Sequence, residues 1–97
     1  MAVQEAYKKK LIEIVGCYLP QCKIWLFGSR AKDLERSGSD IDLALDNGTK
    51  IPWEILMHMR TDIDESIIPM SVDLVDLQAV AQDFKQKALS EGVVWKS

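Results

Sequence analysis

The sequence predicts a small α/β domain of the α+β kind, in which a small mixed β-sheet is flanked by helices. Three observations predict it. Segments with helical spacing alternate with short segments that are either wholly apolar or alternately polar and apolar. Glycine and proline punctuate the junctions between these segments. The chain of 97 residues is long enough for one such sheet and its covering helices.

The composition predicts a single globular domain over residues 1–97. Hydrophobic residues make up 47% of the chain, which is enough for one core. The net charge of -3 argues against a broad basic surface for duplex nucleic acid, whereas a nucleotide whose charge is met by a metal is compatible with it. Residues 1–10 are polar, no apolar run approaches a bilayer span, and the two cysteines lack a zinc-binding pattern. We therefore expect a reduced, cytoplasmic protein without a membrane segment.

The first half of the chain has the pattern of helix, strand, short helix and strand. Residues 3–19 carry apolar side chains on one helical face, and Pro20 ends this helix. Residues 24–27 are an unbroken apolar run, which is typical of a strand covered on both faces. A glycine–serine turn then opens a short helix over residues 29–35. Residues 40–45 alternate in polarity, which is strand periodicity.

The second half predicts a helix over residues 52–65, a strand over 70–75 and a last helix that Asp76 caps and Gly92 terminates. Residues 93–95 form either a short edge strand or a packed tail. The buried side of the 52–65 helix is expected to hold Trp53, Leu56, Met57, Met59 and Ile63. The apolar stripe of the last helix is expected to hold Leu77, Val80, Ala81, Phe84 and Ala88.

Three aspartates on two predicted strands are the candidate metal ligands. Asp40 and Asp42 lie two residues apart on one strand, so their side chains point to the same face. Like charges held so close repel one another, and a divalent cation such as Mg²⁺, which prefers oxygen ligands, removes that cost. Asp73, in the middle of the next strand, is expected to complete the site. Asp76 is the competing third ligand, but we favour Asp73 because helix capping accounts for Asp76.

Two other features are interpreted as structural. The Asp-Ile-Asp run at 62–64 repeats the pattern at 40–42, but it falls in a predicted helix, where residues two apart point about 200° apart. We interpret it as a solvated helix end. His58 is the only histidine and lies in the middle of the same helix, so no general-base role is expected for it.

These motifs resemble the signature of a known superfamily. The Gly-Ser-Arg-Ala run at 28–31, followed by the Ser-Asp-Ile-Asp-Leu run at 39–43, is similar to the signature of DNA polymerase β-like nucleotidyltransferases. The short length and the Val-Asp-Leu-Val strand at 72–75 resemble its minimal nucleotidyltransferase branch. Asp33 departs from the pattern, since many relatives have glycine in this turn. The resemblance covers nearly the whole chain and implies a polymerase β palm-like fold.

The resemblance also implies roles for particular residues. Asp40 and Asp42 would bind the metal ions, two Mg²⁺, that carry the nucleoside triphosphate, ATP. Asp73 would help to bind the second ion and act on the incoming hydroxyl. The residues implied to contact the triphosphate are Gly28, Ser29, Arg30 and Ser39; for the arginine, an ordinary surface position is the alternative.

Three functions agree with these residues. The first is a metal-dependent nucleotidyltransferase that transfers AMP from ATP to a hydroxyl on a partner protein. For this function the resemblance implies the antitoxin half of a toxin–antitoxin pair, with a helical partner of the HEPN class. The second is a catalytically weak nucleotide-binding module that neutralises its partner by covering it, with Trp53, Trp95 or the 57–59 region at the interface; helical spacing favours the core for these residues. The third is a small-molecule transferase of the aminoglycoside type, which usually carries additional helices for its acceptor.

Overall fold

The computed structural model describes residues 3–27 and 40–97, and the short helix predicted over 29–35 lies outside them. Along the described chain the elements are α1 (Glu5–Tyr18), β1 (Lys23–Phe27), β2 (Ile41–Asp46), α2 (Trp53–Asp64), β3 (Val72–Asp76), α3 (Gln82–Glu91) and β4 (Val93–Lys96). The helices and strands that the sequence predicts in these ranges are present. Within the same ranges, no helix has the length and apolar character that crossing a bilayer requires.

The strands form one four-stranded mixed sheet in the order β3-β2-β1-β4. β1 pairs antiparallel with β2 and with β4, whereas β2 pairs parallel with β3. A parallel pair needs a crossover connection, which α2 provides between β2 and β3. The predicted small mixed sheet with flanking helices is therefore confirmed. Residues 93–95 belong to an edge strand and not to a packed tail.

The two faces of the sheet pack against different helices. Leu26 and Leu43 are buried partners in the β1–β2 register, and they belong to the core that α1 and α2 cover. Trp25 and Ala44, one position along each strand, point to the opposite face because side chains alternate along a strand. There they pack with Ala88 of α3. We call this side of the sheet the α3 face; the other side is closed by apolar packing.

The buried side of α2 differs from the prediction at two positions. Met59 and Ile63 are buried as expected, but Trp53 and Met57 are 67% and 50% exposed. At about 100° per residue, Trp53 and Met57 lie roughly on the opposite side of the helix from Met59. Apolar residues occur on both sides of α2, so spacing alone did not identify the side that packs. An apolar strip of α2 therefore remains on the surface.

The prediction that Asp76 caps the last helix is wrong. Asp76 is the buried last residue of β3, and α3 begins only at Gln82. Its carboxylate accepts hydrogen bonds from the backbone N–H of Ile51 at 2.8 Å and of Gln78 at 2.9 Å. A carboxylate bonded to the N–H two residues ahead stabilises a turn, which competes with helix at this point. Leu77, expected on the helical stripe, is buried before the helix starts.

Two glycines allow a matched test of the packing around α3. Gly92 ends α3 as predicted, and a Cβ at this position would lie 2.5 Å from the backbone oxygen of Ala88 and 3.2 Å from that of Leu26. Gly92→Ala is therefore expected to destabilise the fold by about 1–3 kcal/mol. Gly16→Ala in α1, where a Cβ meets nothing within 4 Å, is expected to stabilise it by about 0.5–1 kcal/mol. Urea denaturation measures both changes, and a shift of the same sign in the two variants would contradict this packing.

Candidate active site

Asp42 and Asp73 lie side by side on the α3 face of the sheet. They are partners in the parallel register of β2 and β3, and partnered side chains on neighbouring strands point the same way. Asp42 is two residues before the buried Ala44 and so shares its face. Asp42 is half-buried and Asp73 is exposed. The pairing brings together carboxylates that are far apart in the sequence.

Asp40, which directly precedes β2, carries the third carboxylate and is exposed. Burial raises the pKa of the Asp42 carboxyl, and the neighbouring charges of Asp73 and Asp40 raise it further. Both of these residues are therefore within electrostatic range of Asp42. Among residues 3–27 and 40–97, no three acidic, histidine or cysteine side chains are held together in a metal-binding group. The three aspartates are related by these charge interactions, and we call them the carboxylate cluster.

The chemistry of the carboxylate cluster fits a divalent cation. Its members are oxygen donors, the ligands that Mg²⁺ prefers, and they are mounted on or directly before paired strands. The raised pKa of Asp42 reflects a half-buried charge beside two like charges. A bound cation would reverse that repulsion and favour the ionised form of all three carboxyls.

Asp76, the competing third ligand, has a different place in the fold. On β3 it is three residues beyond Asp73, so its side chain points to the other side of the strand. Both of its hydrogen bonds go to backbone N–H groups, which fixes its carboxylate between β3 and the segment that leads into α2. The structure therefore separates Asp76 from the carboxylate cluster, and Asp73 stays the third candidate ligand.

The predicted triphosphate contacts lie outside the described residues; they are Gly28, Ser29, Arg30 and Ser39. The described residues on either side of that segment are Phe27 and Asp40. Phe27 is the register partner of Asp42, so β1 ends beside the carboxylate cluster. The prediction for those four residues stays a prediction.

The interpretation of the 62–64 run as a solvated helix end is wrong for one of its aspartates. Asp64 is exposed, but Asp62 is half-buried and accepts a hydrogen bond of 2.6 Å from the Tyr18 hydroxyl. This hydrogen bond raises the pKa of Tyr18, as do burial and the charge of Asp62. His58 is exposed, and its ring stacks on that of Tyr18 with centroids 6.2 Å apart. These contacts join α1 to α2 on the side of the sheet away from the carboxylate cluster.

An aromatic pair beside the carboxylate cluster was not identified from the sequence. The rings of Phe27 and Phe84 meet edge to face, with centroids 5.7 Å apart and an interplanar angle of 89°. Phe84, which helical spacing assigned to a buried stripe, is 39% exposed. The signal that was available is the position of Phe27 directly before the Gly-Ser pair in the sequence.

The site thus consists of paired aspartates on one face of a small mixed sheet whose other face is covered by two helices. Residues 9–97 match the family described as Polymerase beta, Nucleotidyltransferase. The chain belongs to this family, and the resemblance noted in the sequence is confirmed.

Two curated relatives align with most of this chain. It is 31% identical over 68 residues to the probable protein adenylyltransferase MntA of Haemophilus influenzae, in a match that covers 70% of this chain and 60% of that protein. It is 29% identical over 97 residues to the protein adenylyltransferase MntA of Shewanella oneidensis, covering 93% of this chain and 65% of that protein. A crystal structure of a toxin–antitoxin with AMP-PNP matches with a TM-score of 0.71 at 26% identity, over 91% of this chain and 71% of that one. The chain thus spans less than two thirds of the length of these two curated relatives.

Proposed function

We propose that this chain is a metal-dependent nucleotidyltransferase that transfers AMP from ATP to a hydroxyl on a partner protein. The observation that carries the proposal is the pairing of Asp42 with Asp73 in register, with Asp40 in electrostatic range. Nucleotidyl transfer needs positioning and charge neutralisation more than covalent chemistry, and carboxylates on paired strands are suited to both. The relatives named protein adenylyltransferase support AMP as the transferred group and a protein as the acceptor.

In the proposed reaction each aspartate has one task. Asp40 and Asp42 hold the divalent cation and, with it, the triphosphate. When bound, Mg²⁺ supplies charge neutralisation and orients the phosphates. Asp73, the exposed member on the neighbouring strand, orients the acceptor hydroxyl and accepts its proton. The acceptor oxygen forms a bond to the α-phosphorus while the bond from that phosphorus to the bridging oxygen breaks, and pyrophosphate leaves with the electron pair.

The proposed acceptor is a tyrosine hydroxyl on a helical toxin of the HEPN class, for which this chain is the antitoxin. The toxin–antitoxin structure with AMP-PNP, which has the same fold at 26% identity, supports this pairing. ATP as the donor, together with two free cysteines, Cys17 and Cys22, favours the cytoplasm as the place of the reaction.

The second candidate function, neutralisation by binding alone, has one observation in its favour. Trp53 and Met57 form an exposed apolar strip on α2, and such strips mark protein interfaces when they are contiguous. Trp95 and Met59, the other interface candidates, are packed into or against the core. Binding and catalysis are compatible in one protein, so the test has to separate them.

The test is AMP transfer to the partner. The purified chain is incubated with ATP, Mg²⁺ and the HEPN protein encoded beside it, and the intact mass of the partner is measured. Wild type is expected to add AMP to a tyrosine of the partner, and Asp73→Asn is expected to add none while remaining folded. Asp64→Asn, an exposed aspartate outside the carboxylate cluster, is the control and should match wild type.

Two results would reject the proposed activity. One is an unchanged partner mass with wild type. The other is equal AMP addition by wild type and Asp73→Asn. Neutralisation of the toxin in cells by Asp73→Asn at the wild-type level would favour the binding module instead.

A further inference from the structure

The surroundings of the carboxylate cluster on the α3 face are aromatic on one side. Phe27 is the register partner of Asp42, and directly opposed side chains on antiparallel strands lie about 4.5–5.5 Å apart at their Cβ atoms. Phe27 shares the face of Asp42 and is half-buried. A large apolar ring therefore lies immediately beside the half-buried Asp42.

Phe84 of α3 extends this aromatic surface away from the cluster. Its edge-to-face contact with Phe27 fixes its ring nearly perpendicular to that of Phe27. The residue that anchors α3 to the sheet is Ala88, one turn further on, which is 3% exposed, whereas Phe84 is 39% exposed. Packing of the helix thus does not use the whole Phe84 side chain, which is partly open to solvent.

A nucleoside triphosphate held at the carboxylate cluster would have its sugar and base on the α3 side of the sheet. The opposite face of the sheet is closed by the core under α1 and α2. Nucleobases stack on aromatic side chains, and each base so held contributes a substantial share of the binding. A partly exposed aromatic side chain, on the same face as carboxylates that would hold a triphosphate through a cation, has the chemistry of a base-stacking platform.

We infer that Phe84, oriented by Phe27, stacks on the nucleobase of the bound nucleoside triphosphate. This inference rests on the proposed function, because it takes the triphosphate to be held by the carboxylate cluster. Phe84 makes no contact with the reacting phosphate in this arrangement and acts on substrate affinity. Phe27 is a positioning residue that sets the orientation of the Phe84 ring.

The experiment compares two probes that differ in the base and sugar, magnesium–ATP and magnesium–tripolyphosphate. Their dissociation constants are measured by calorimetry for wild type, Phe84→Ala, Phe84→Leu and Phe84→Trp. The control is Leu89→Ala, because Leu89 is on the same helix, 38% exposed, and about 140° around the helix from Phe84. Circular dichroism checks that each variant is folded.

Phe84→Ala is expected to raise the dissociation constant of magnesium–ATP about tenfold and to leave that of magnesium–tripolyphosphate unchanged. Phe84→Leu keeps apolar volume without an aromatic face, so it is expected to weaken ATP binding in the same way. Phe84→Trp and Leu89→Ala should bind ATP like wild type. Equal weakening of both probes, or unchanged ATP binding in Phe84→Ala, would overturn the base-stacking role and leave the proposed function intact. Wild type that binds neither probe would overturn both.

Discussion

Asp42→Asn is expected to lower the rate of AMP transfer by well over about a hundredfold. Loss of a side chain that merely supports a metal ligand costs about 10- to 100-fold, and Asp42 is proposed as a ligand itself. It is also the central member of the carboxylate cluster, since it is the register partner of Asp73 and its carboxyl feels the charge of Asp40. The measurement is the initial rate of AMP incorporation at saturating ATP. Asp64→Asn should keep the wild-type rate.

The same substitution is expected to stabilise the protein in the absence of divalent cations. The pKa of Asp42 is raised in the fold, so its ionised form is disfavoured there, and the folded state gains stability as the pH falls through that raised value. Asparagine removes the charge at neutral pH. Because Asp42 is partly exposed and solvent screens the repulsion, the expected rise in Tm is small, about 2 °C.

Magnesium together with ATP should reverse the order of the two Tm values, so that wild type becomes more stable than Asp42→Asn. Mg²⁺ with ATP is expected to raise the Tm of wild type and to leave that of Asp42→Asn unchanged, since only the wild-type carboxylate cluster binds the ion. Acidification should remove the wild-type response, because the carboxylates must be ionised to bind the cation. A lower Tm for Asp42→Asn without divalent cations, combined with a normal rate, would contradict the assignment of Asp42.

Asp76→Ala is expected to cost about 2–4 kcal/mol of stability, because it leaves the backbone N–H groups of Ile51 and Gln78 without their acceptor. The N–H of Ile51 is buried, so water does not replace the carboxylate there. The measurement is the free energy of unfolding in urea. If the alanine variant does not fold, Asp76→Asn should give a smaller loss, since one carbonyl oxygen is kept.

Asp73→Ala is the matched control on the same strand. Asp73 is exposed, and its replacement should change the free energy of unfolding by less than about 0.5 kcal/mol while AMP transfer is lost. Replacement of Asp76 is therefore expected to lower stability, whereas replacement of Asp73 is expected to abolish AMP transfer and leave stability nearly unchanged. An Asp76→Ala variant that is as stable as wild type but inactive would transfer the third-ligand role to Asp76.

The sequence predicted those parts of the fold that depend on local pattern. Alternation along 40–45 correctly assigned Asp42 to one side and Ile41 and Leu43 to the buried side. The in-register pairing of Asp42 with Asp73 is a contact between separate segments, and periodicity along one strand contains no information on its neighbour.

The incorrect predictions have a common physical cause, which is competition from tertiary contacts. Trp53 and Met57 are as apolar as Met59, and only the position of the sheet decides which side of α2 is covered. Asp76 has the chemistry of a helix cap, but the N–H of Ile51 on a distant segment competes for its carboxylate. Tyr18 and Asp62 are joined across α1 and α2 by a hydrogen bond that no local pattern specifies.

The central claim is that a nucleotide-carrying divalent cation binds at Asp40 and Asp42, beside Asp73, on the α3 face. The most direct measurement is paramagnetic broadening of the amide NMR resonances by Mn²⁺, a cation suited to carboxylate oxygens, in the presence of ATP. Broadening is expected to be strongest at residues 40–42 and at Asp73, and much weaker at Tyr18 and Asp62 on the other side of the sheet. Broadening centred on the 62–65 segment, or spread evenly over the chain, would contradict the claim.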